Sequence, residues 1–296
     1  MVTMSPDRTD GKWIPGYEES GEAGKPPTID EILSLFSESK LYYGAFHQQC
    51  ATEEDFYTGR RTVPHPEGID PVWPSTATAI VNVGTDHVDV NNLSIDIPSS
   101  ARSRARAERL KKFYQGVWAS VKQPVLRTSV RQAFLYGISW LKVMFDPDRW
   151  PEAPVLDDYE DEASYKEALS DFMDRRDIAF PFIISTVNPR NLVWDDSKTR
   201  VKWAIEFSQL GVRELQRRYP EWTTKKESGQ IAQWMEYWDE DWVAYIADNE
   251  FVYGPKKHGY GFMPYTPVLP MHSYTFEDGA PQERYTGILK PVHSLL

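Results

Sequence analysis

The stretch Thr128–Asp148, TSVRQAFLYGISWLKVMFDPD, constrains the fold more than any other part of the chain. Val130, Ala133, Phe134 and Tyr136 give a short helix one apolar face, and Gly137 stands where a left-handed C-terminal cap is needed. Ile138, Trp140, Leu141, Val143 and Phe145 then read as a buried strand. A helix thus turns on one glycine into a strand, as one α/β packing unit of a globular core. Asp146-Pro147-Asp148 closes it, because the aspartate can hold a local turn and the proline cannot continue a ladder.

Upstream, residues 1–27 are rich in Gly, Pro, Ser and charge, and their composition predicts a mobile arm. Thr28 is a candidate N-cap, Asp30 and Glu31 suit the first turn, and Ile32, Leu33, Phe36, Tyr43 and Phe46 predict a helix to about Cys50. Thr52-Glu53-Glu54-Asp55 reads as a second start, leading into Phe56-Tyr57-Thr58-Gly59 and a proline-rich loop through Pro74. Residues 76–93 fit a helix better than two short strands, and Leu93, Ile95 and Ile97 alternate towards a strand edge at Pro98. From Ser99 or Ser100 a long helix is expected, with Leu110, Phe113, Tyr114, Val117, Trp118 and Val121 on a buried face and a break at Gln123-Pro124.

Downstream, residues 152–177 form an acidic, highly charged insertion expected to be a surface helix or small lid. Phe180–Val187, Leu192–Trp194 and Trp203–Phe207 read as strands. A short helix ends at Tyr219-Pro220, and Trp234–Trp238 with Trp242–Ile246 suggest a hairpin followed by Phe251–Tyr253. Pro264, Pro267 and Pro270 hold an extended segment, and Gly287–Leu296 begins a helical pattern. The expected class is α+β, with mostly antiparallel strands near 138–146, 180–187, 203–208, 234–238 and 242–253, flanked by helices near 30–50 and 100–135.

A chain of 296 residues that is 41% hydrophobic can bury a large core, and its net charge of −11 argues against a general nucleic-acid coat. The single cysteine, Cys50, excludes a disulfide framework and a thiolate zinc site. No window has the run of about 18 apolar residues that a spanning helix needs, and the first residues lack an apolar signal core, so no membrane association is expected. The 11 Trp, 16 Tyr and 13 Phe suit either large contact surfaces or an aromatic core.

The one dense basic run, Arg102, Arg104, Arg106, Arg109, Lys111 and Lys112, winds round the start of the long helix. It reads as a solvated face, or as a contact for nucleic acid or a neighbouring subunit. Asp195-Asp196 is the best carboxylate pair for a cation, with Asp146 and Asp148 next, although such pairs more often hold turns. The six histidines show no ligand spacing, and no phosphate loop, HExxH, nucleophile elbow or kinase signature is present. The residues themselves point to no enzyme and no cofactor.

In their order, the segments resemble the N-terminal part of a tailed-bacteriophage portal protein. The resemblance lies in Phe56-Tyr57-Thr58-Gly59 before its proline-rich loop, and in the long helix followed by the helix-Gly-strand 133–143 with its Lys142. It continues in Val187-Asn188-Pro189-Arg190-Asn191-Leu192-Val193-Trp194-Asp195, and in Trp234–Trp238 followed by Gly259-Tyr260-Gly261-Phe262-Met263-Pro264-Tyr265. Gly137, Pro189 and Pro264 are its structural residues.

The resemblance spans roughly residues 29–296 and implies a portal-wing-like domain over 28–296, without the stem, clip, tunnel loop and crown that follow in the family, so the chain is expected to be truncated at its C-terminus. It further implies a homo-oligomeric, dodecameric ring at a capsid vertex that serves genome packaging, ejection and head-tail joining. Implied partners are the terminase, which supplies ATP hydrolysis, and capsid, scaffold and tail or adaptor proteins. Double-stranded DNA would pass through without being tightly held. The expected location is the virion, and the host cytoplasm during assembly. Another virion structural protein, a carbohydrate-binding module using exposed tryptophans, and a hydrolase of unknown type remain alternatives.

Overall fold

The computed structural model describes residues 25–60, 68, 76–88, 97, 104–120, 124–145, 151–159, 161–178, 181–196, 201–270 and 279–292. Residues 1–24 of the arm expected over 1–27, residues 61–67 and 69–74 of the proline-rich loop, Leu93 and Ile95 of the expected strand edge, and the Asp146 and Asp148 pair lie outside them, and Ile97 is in no regular element.

Thr28 caps the first helix, α1 (Ile29–Tyr42), with a reciprocal capping box. Its backbone N–H donates to Glu31 Oε2 at 2.7 Å, and its Oγ1 accepts from the Glu31 N–H at 3.3 Å. The single helix expected to Cys50 is instead broken at Tyr43, and α2 (Gly44–Thr58) runs on to a left-handed cap at Gly59. Tyr43 is buried and donates its hydroxyl to the Trp194 carbonyl at 3.1 Å, so tertiary packing sets the break. Thr52 is no N-cap. Its hydroxyl donates to the Gln48 carbonyl one turn back at 3.0 Å, as an interior helical residue does.

α3 (Thr76–His87) is the helix preferred for that segment. α4 (Arg104–Ser120) is also helical, but Leu110, Phe113 and Tyr114 of its expected buried face are exposed, while Ala107 is buried. Among the described residues no neighbouring element closes over these three side chains, and periodicity alone cannot supply one.

α5 (Val125–Tyr136) ends at Gly137 with φ +78°, whose N–H donates to the Ala133 carbonyl at 2.9 Å, and β1 (Ser139–Phe145) follows as the sequence predicts. Buried hydroxyls tie the two: Ser129 Oγ donates to Ser139 Oγ, and Ser139 Oγ to Gln132 Oε1, both at 3.0 Å.

The acidic insertion is α6 (Glu162–Ile178), largely exposed. β2 (Phe182–Val187) begins later than expected and is half-buried, because it is the edge of a small sheet. β3 (Leu192–Trp194) and β4 (Trp203–Gly211) are followed by α7 (Val212–Arg218). β5 (Ile231–Asp239), β6 (Trp242–Ala247), β7 (Glu250–Lys257) and β8 (Tyr265–Val268) complete the strands, and α8 (Pro281–Arg284) is a single turn. In place of the helical pattern expected from Gly287, the described part holds one 3₁₀ turn, Lys290–Val292. The Ile288 N–H donates to the Phe134 carbonyl at 2.8 Å, so this backbone is committed to α5.

The class is α+β. Two sheets form, ordered β2-β1-β8 and β3-β4-β5-β6-β7, and every strand pair is antiparallel. The chain crosses from the first to the second over a 3₁₀ turn, where Asn188 Oδ1 accepts the Arg190 N–H at 3.0 Å and buried Pro189 starts the turn. Hairpin chemistry fixes the large sheet: Asp239 Oδ1 accepts the Asp241 and Trp242 N–H groups, while Asp248 and Asn249 both take positive φ. One core, from Ile32, Phe36 and Phe46 through Trp140 and Trp194 to Met235, fills the space between helices and sheets. A smaller one, with Val212, Leu215, Trp222 and Trp234, lies under α7.

His47 and His258 carry a pH consequence. Burial lowers both pKa values first of all, partly offset by the carbonyls they face: Leu192, 3.1 Å from His47 Nε2, and Asp239, 2.8 Å from His258 Nε2. A folded-state value below the unfolded one, about 6.5, means that unfolding takes up protons, so stability is full above that pH and falls as the pH drops towards the folded values. The melting temperature should therefore fall from about pH 7 to about pH 5, and less so in a His47→Gln/His258→Gln variant than in the parent. Equal slopes for the two proteins would sink this assignment.

Candidate functional site

Three charged residues, each in the middle of an apolar strand, meet between the two sheets. Glu206 on β4 and Glu236 on β5 are direct register partners, an arrangement that like charges disfavour. Lys142 reaches across from β1, placing Nζ 3.1 Å from Glu206 Oε2 and 2.5 Å from Glu236 Oε1. Tyr265 donates its hydroxyl to Glu206 Oε2 at 3.0 Å, its ring centre lies 5.1 Å from Nζ, and Trp238 Nε1 donates to Glu236 Oε1 at 2.7 Å. The Lys142 side chain is 9% exposed. Burial opposes its charge, but the Glu236 and Glu206 carboxylates outweigh that effect and hold its pKa above the usual lysine value. A lysine held charged in this way is neither a nucleophile nor a base; it is an inter-sheet clamp. The sequence reading passed over it, although an acid in AIEFS and another in WMEYW, each flanked by apolar residues, were the available signal.

The predicted carboxylate pair is structural as well. Asp196 Oδ2 accepts the Tyr42 hydroxyl at 2.6 Å and pairs with the Arg284 guanidinium, which joins α1 and α8 to the end of β3. Asp195 Oδ2 accepts the Lys202 N–H at 3.2 Å across the β3–β4 connection. Among the described residues no group of three or more His, Cys, Asp or Glu could hold a metal ion, and no helix is long and apolar enough to cross a membrane. Cys50 is buried, and burial raises its thiol well above the usual value.

The basic run lies on α4. Arg102 lies outside the described residues, and Arg104, Arg106 and Arg109 are exposed on α4. Arg106, Arg109, Leu110 and Phe113 share one face by their spacing of three and four, so the cations border an uncovered apolar stripe. Elsewhere an open groove of about 700 Å³ runs between α1 and β5, lined by Leu33, Phe36, Lys40, Leu41 and Met235. Of the tryptophans whose burial is described, Trp140, Trp194, Trp222, Trp234 and Trp238 are buried and Trp203 and Trp242 half-buried.

Gly137, Pro189 and Pro264, far apart in sequence, stand next to β1 or to a strand paired with it. Gly137 delivers the chain into β1, Pro189 starts the turn that follows its partner β2, and the Pro264 carbonyl accepts the Val143 N–H at 2.9 Å just before its other partner, β8. No protein-family model matches the sequence, and no curated protein is significantly similar to it.

Proposed function

We propose that this chain is a structural virion protein, the wing portion of a portal subunit that assembles as a ring, a dodecamer in the family, at a capsid vertex. The observation that carries this reading is that three separated portal-like motifs meet at one strand, β1: Gly137 leads into it, Val187 is the register partner of Trp140, and the Pro264 carbonyl accepts the Val143 N–H. The buried tryptophans favour it over a carbohydrate-binding module, whose sugar platform would need them exposed. In this role the ring admits DNA driven by a terminase, joins capsid, scaffold and tail or adaptor proteins, and acts in the virion and, during assembly, in the host cytoplasm.

The test is immunogold labelling of purified phage particles from cells that carry this sequence. Label confined to a single vertex is the expected result, and label spread over the capsid or absent from particles would overturn the reading. A passive conduit should also bind duplex DNA weakly, since the net charge is −11 and the dense basic run is confined to one helix. Fluorescence anisotropy at two salt concentrations should show weak binding that falls steeply with salt and routes through Arg102, Arg104, Arg106 and Arg109. A parallel ATPase assay should match its blank. Sub-micromolar affinity that survives high salt, or real turnover, would restore an enzyme or a true DNA-binding protein.

A further inference from the structure

Two long helices stand out because the described chain leaves apolar residues on each uncovered. On α4, Leu110, Phe113 and Tyr114 are 36%, 54% and 46% exposed, with Arg106 and Arg109 on the same side. On α6, Leu169 and Met173 are 37% and 41% exposed, and Glu162 shares their side, held in an exposed ion pair with Lys166 Nζ at 2.8 Å that contact with a second copy would exchange. Uncovered apolar residues rimmed by charge mark contact surfaces, and the charges that lead into the two stripes, arginines on α4 and acids at the start of α6, are opposite in sign. The segment leading into α6 is acidic too, with Asp158 and Asp161 exposed ahead of it and Val155 and Leu156 exposed beside them.

We infer that α4 of one copy docks side by side, in parallel, on α6 of a second copy. The orientation follows from the order of charge and apolar groups. On α4 the cations precede the apolar residues, and on α6 the acids precede them. Arg106 to Phe113 and Glu162 to Leu169 are the same step along the chain, about 10 Å of helix, so ion pairing and apolar contact can form together. An antiparallel arrangement would set Arg175 and Arg176 at the end of α6 against the α4 arginines. A DNA backbone would satisfy the arginines but leave Leu110 and Phe113 in water, whereas a helix covers both.

Because the two surfaces differ, the contact is head-to-tail, and an open chain of copies keeps one free α4 and one free α6 at its ends until a ring closes. The contact deepens the proposed ring and rests on that reading only for closure; the pairing itself rests on the two helices.

The experiment is sedimentation velocity on three proteins: the parent, an Arg106→Glu/Arg109→Glu variant and an Asp158→Lys/Glu162→Lys variant. Asp161 is left intact because its Oδ1 accepts the Ser164 N–H at 2.7 Å. The parent should associate with rising concentration and dissociate with rising salt, and each variant alone should associate about tenfold more weakly or worse. An equimolar mixture of the two variants should regain association, since every α4–α6 contact between unlike copies is again complementary. All four substituted positions are exposed, so circular dichroism should match the parent. In a second measurement, Phe113→Cys and Leu169→Cys proteins, otherwise unchanged, should form a mixed disulfide when combined under mild oxidation, with buried Cys50 silent.

A parent that stays monomeric, a mixture that fails to recover, or an absent mixed disulfide would overturn the contact. So would loss of DNA binding with association unchanged in the arginine variant. Recovered association that gives open chains, together with gold label absent from particles, would keep the contact and remove the portal reading.

Discussion

Gly137→Ala is expected to lower the unfolding free energy by about 3 kcal/mol or more, the sum of left-handed strain and a backbone collision. Gly137 holds φ +78°, and a Cβ built there would lie 2.3 Å from the Thr286 nitrogen and 2.7 Å from its carbonyl carbon. The far side of the same crossing is as tight: a Cβ on Gly287 would lie 1.9 Å from the Leu135 carbonyl oxygen. The segment at 286–288 therefore lies directly on the end of α5, pinned by the Ile288–Phe134 hydrogen bond, and neither backbone can yield without moving the helix-strand junction. Gly59→Ala supplies the control, for Gly59 is also left-handed, at φ +68°, but has nothing within 4 Å of an added Cβ. It should cost only about 1 kcal/mol. Urea melts of the two variants against the parent give the comparison, and equal losses would show that the crossing is looser than described.

Lys142→Met should cost about 3 to 5 kcal/mol, because it leaves Glu206 and Glu236 facing each other without the cation between them. Removing the carboxylates as well, in Lys142→Met/Glu206→Gln/Glu236→Gln, should recover much of that loss, since a neutral network avoids two uncompensated charges. The pH dependence has a definite sign. The folded pKa of Lys142 lies above its unfolded value, so its stabilisation is complete below about pH 10 and is lost only as the pH rises through the folded value. Between pH 6 and pH 9, on this account, the Lys142→Met deficit should be about constant. A deficit below about 1 kcal/mol, or a triple variant no better than the single one, would show that the clamp contributes little.

What the sequence determined by itself is local. The Thr28 capping box, the Gly137 and Gly59 caps, the turns at Asp239 and Asp248-Asn249, and the strands at 139–145 and 231–247 are written in side chains that act on backbone within a few residues. Antiparallel sheets flanked by helices followed from the short links between strands. Tertiary structure decided the rest, for reasons of distance. Tyr43 breaks the first helix because its hydroxyl and ring are taken by Trp194, 151 residues away. The α4 stripe is open because, among the described residues, no element arrives to cover it, which periodicity cannot foresee. Asp196 joins an ion pair rather than a cation because α1 and α8 bring Tyr42 and Arg284 to it. Lys142, Glu206 and Glu236 become one site only when two sheets stack, so each charge looks like a blemish in its own strand until the other two are beside it.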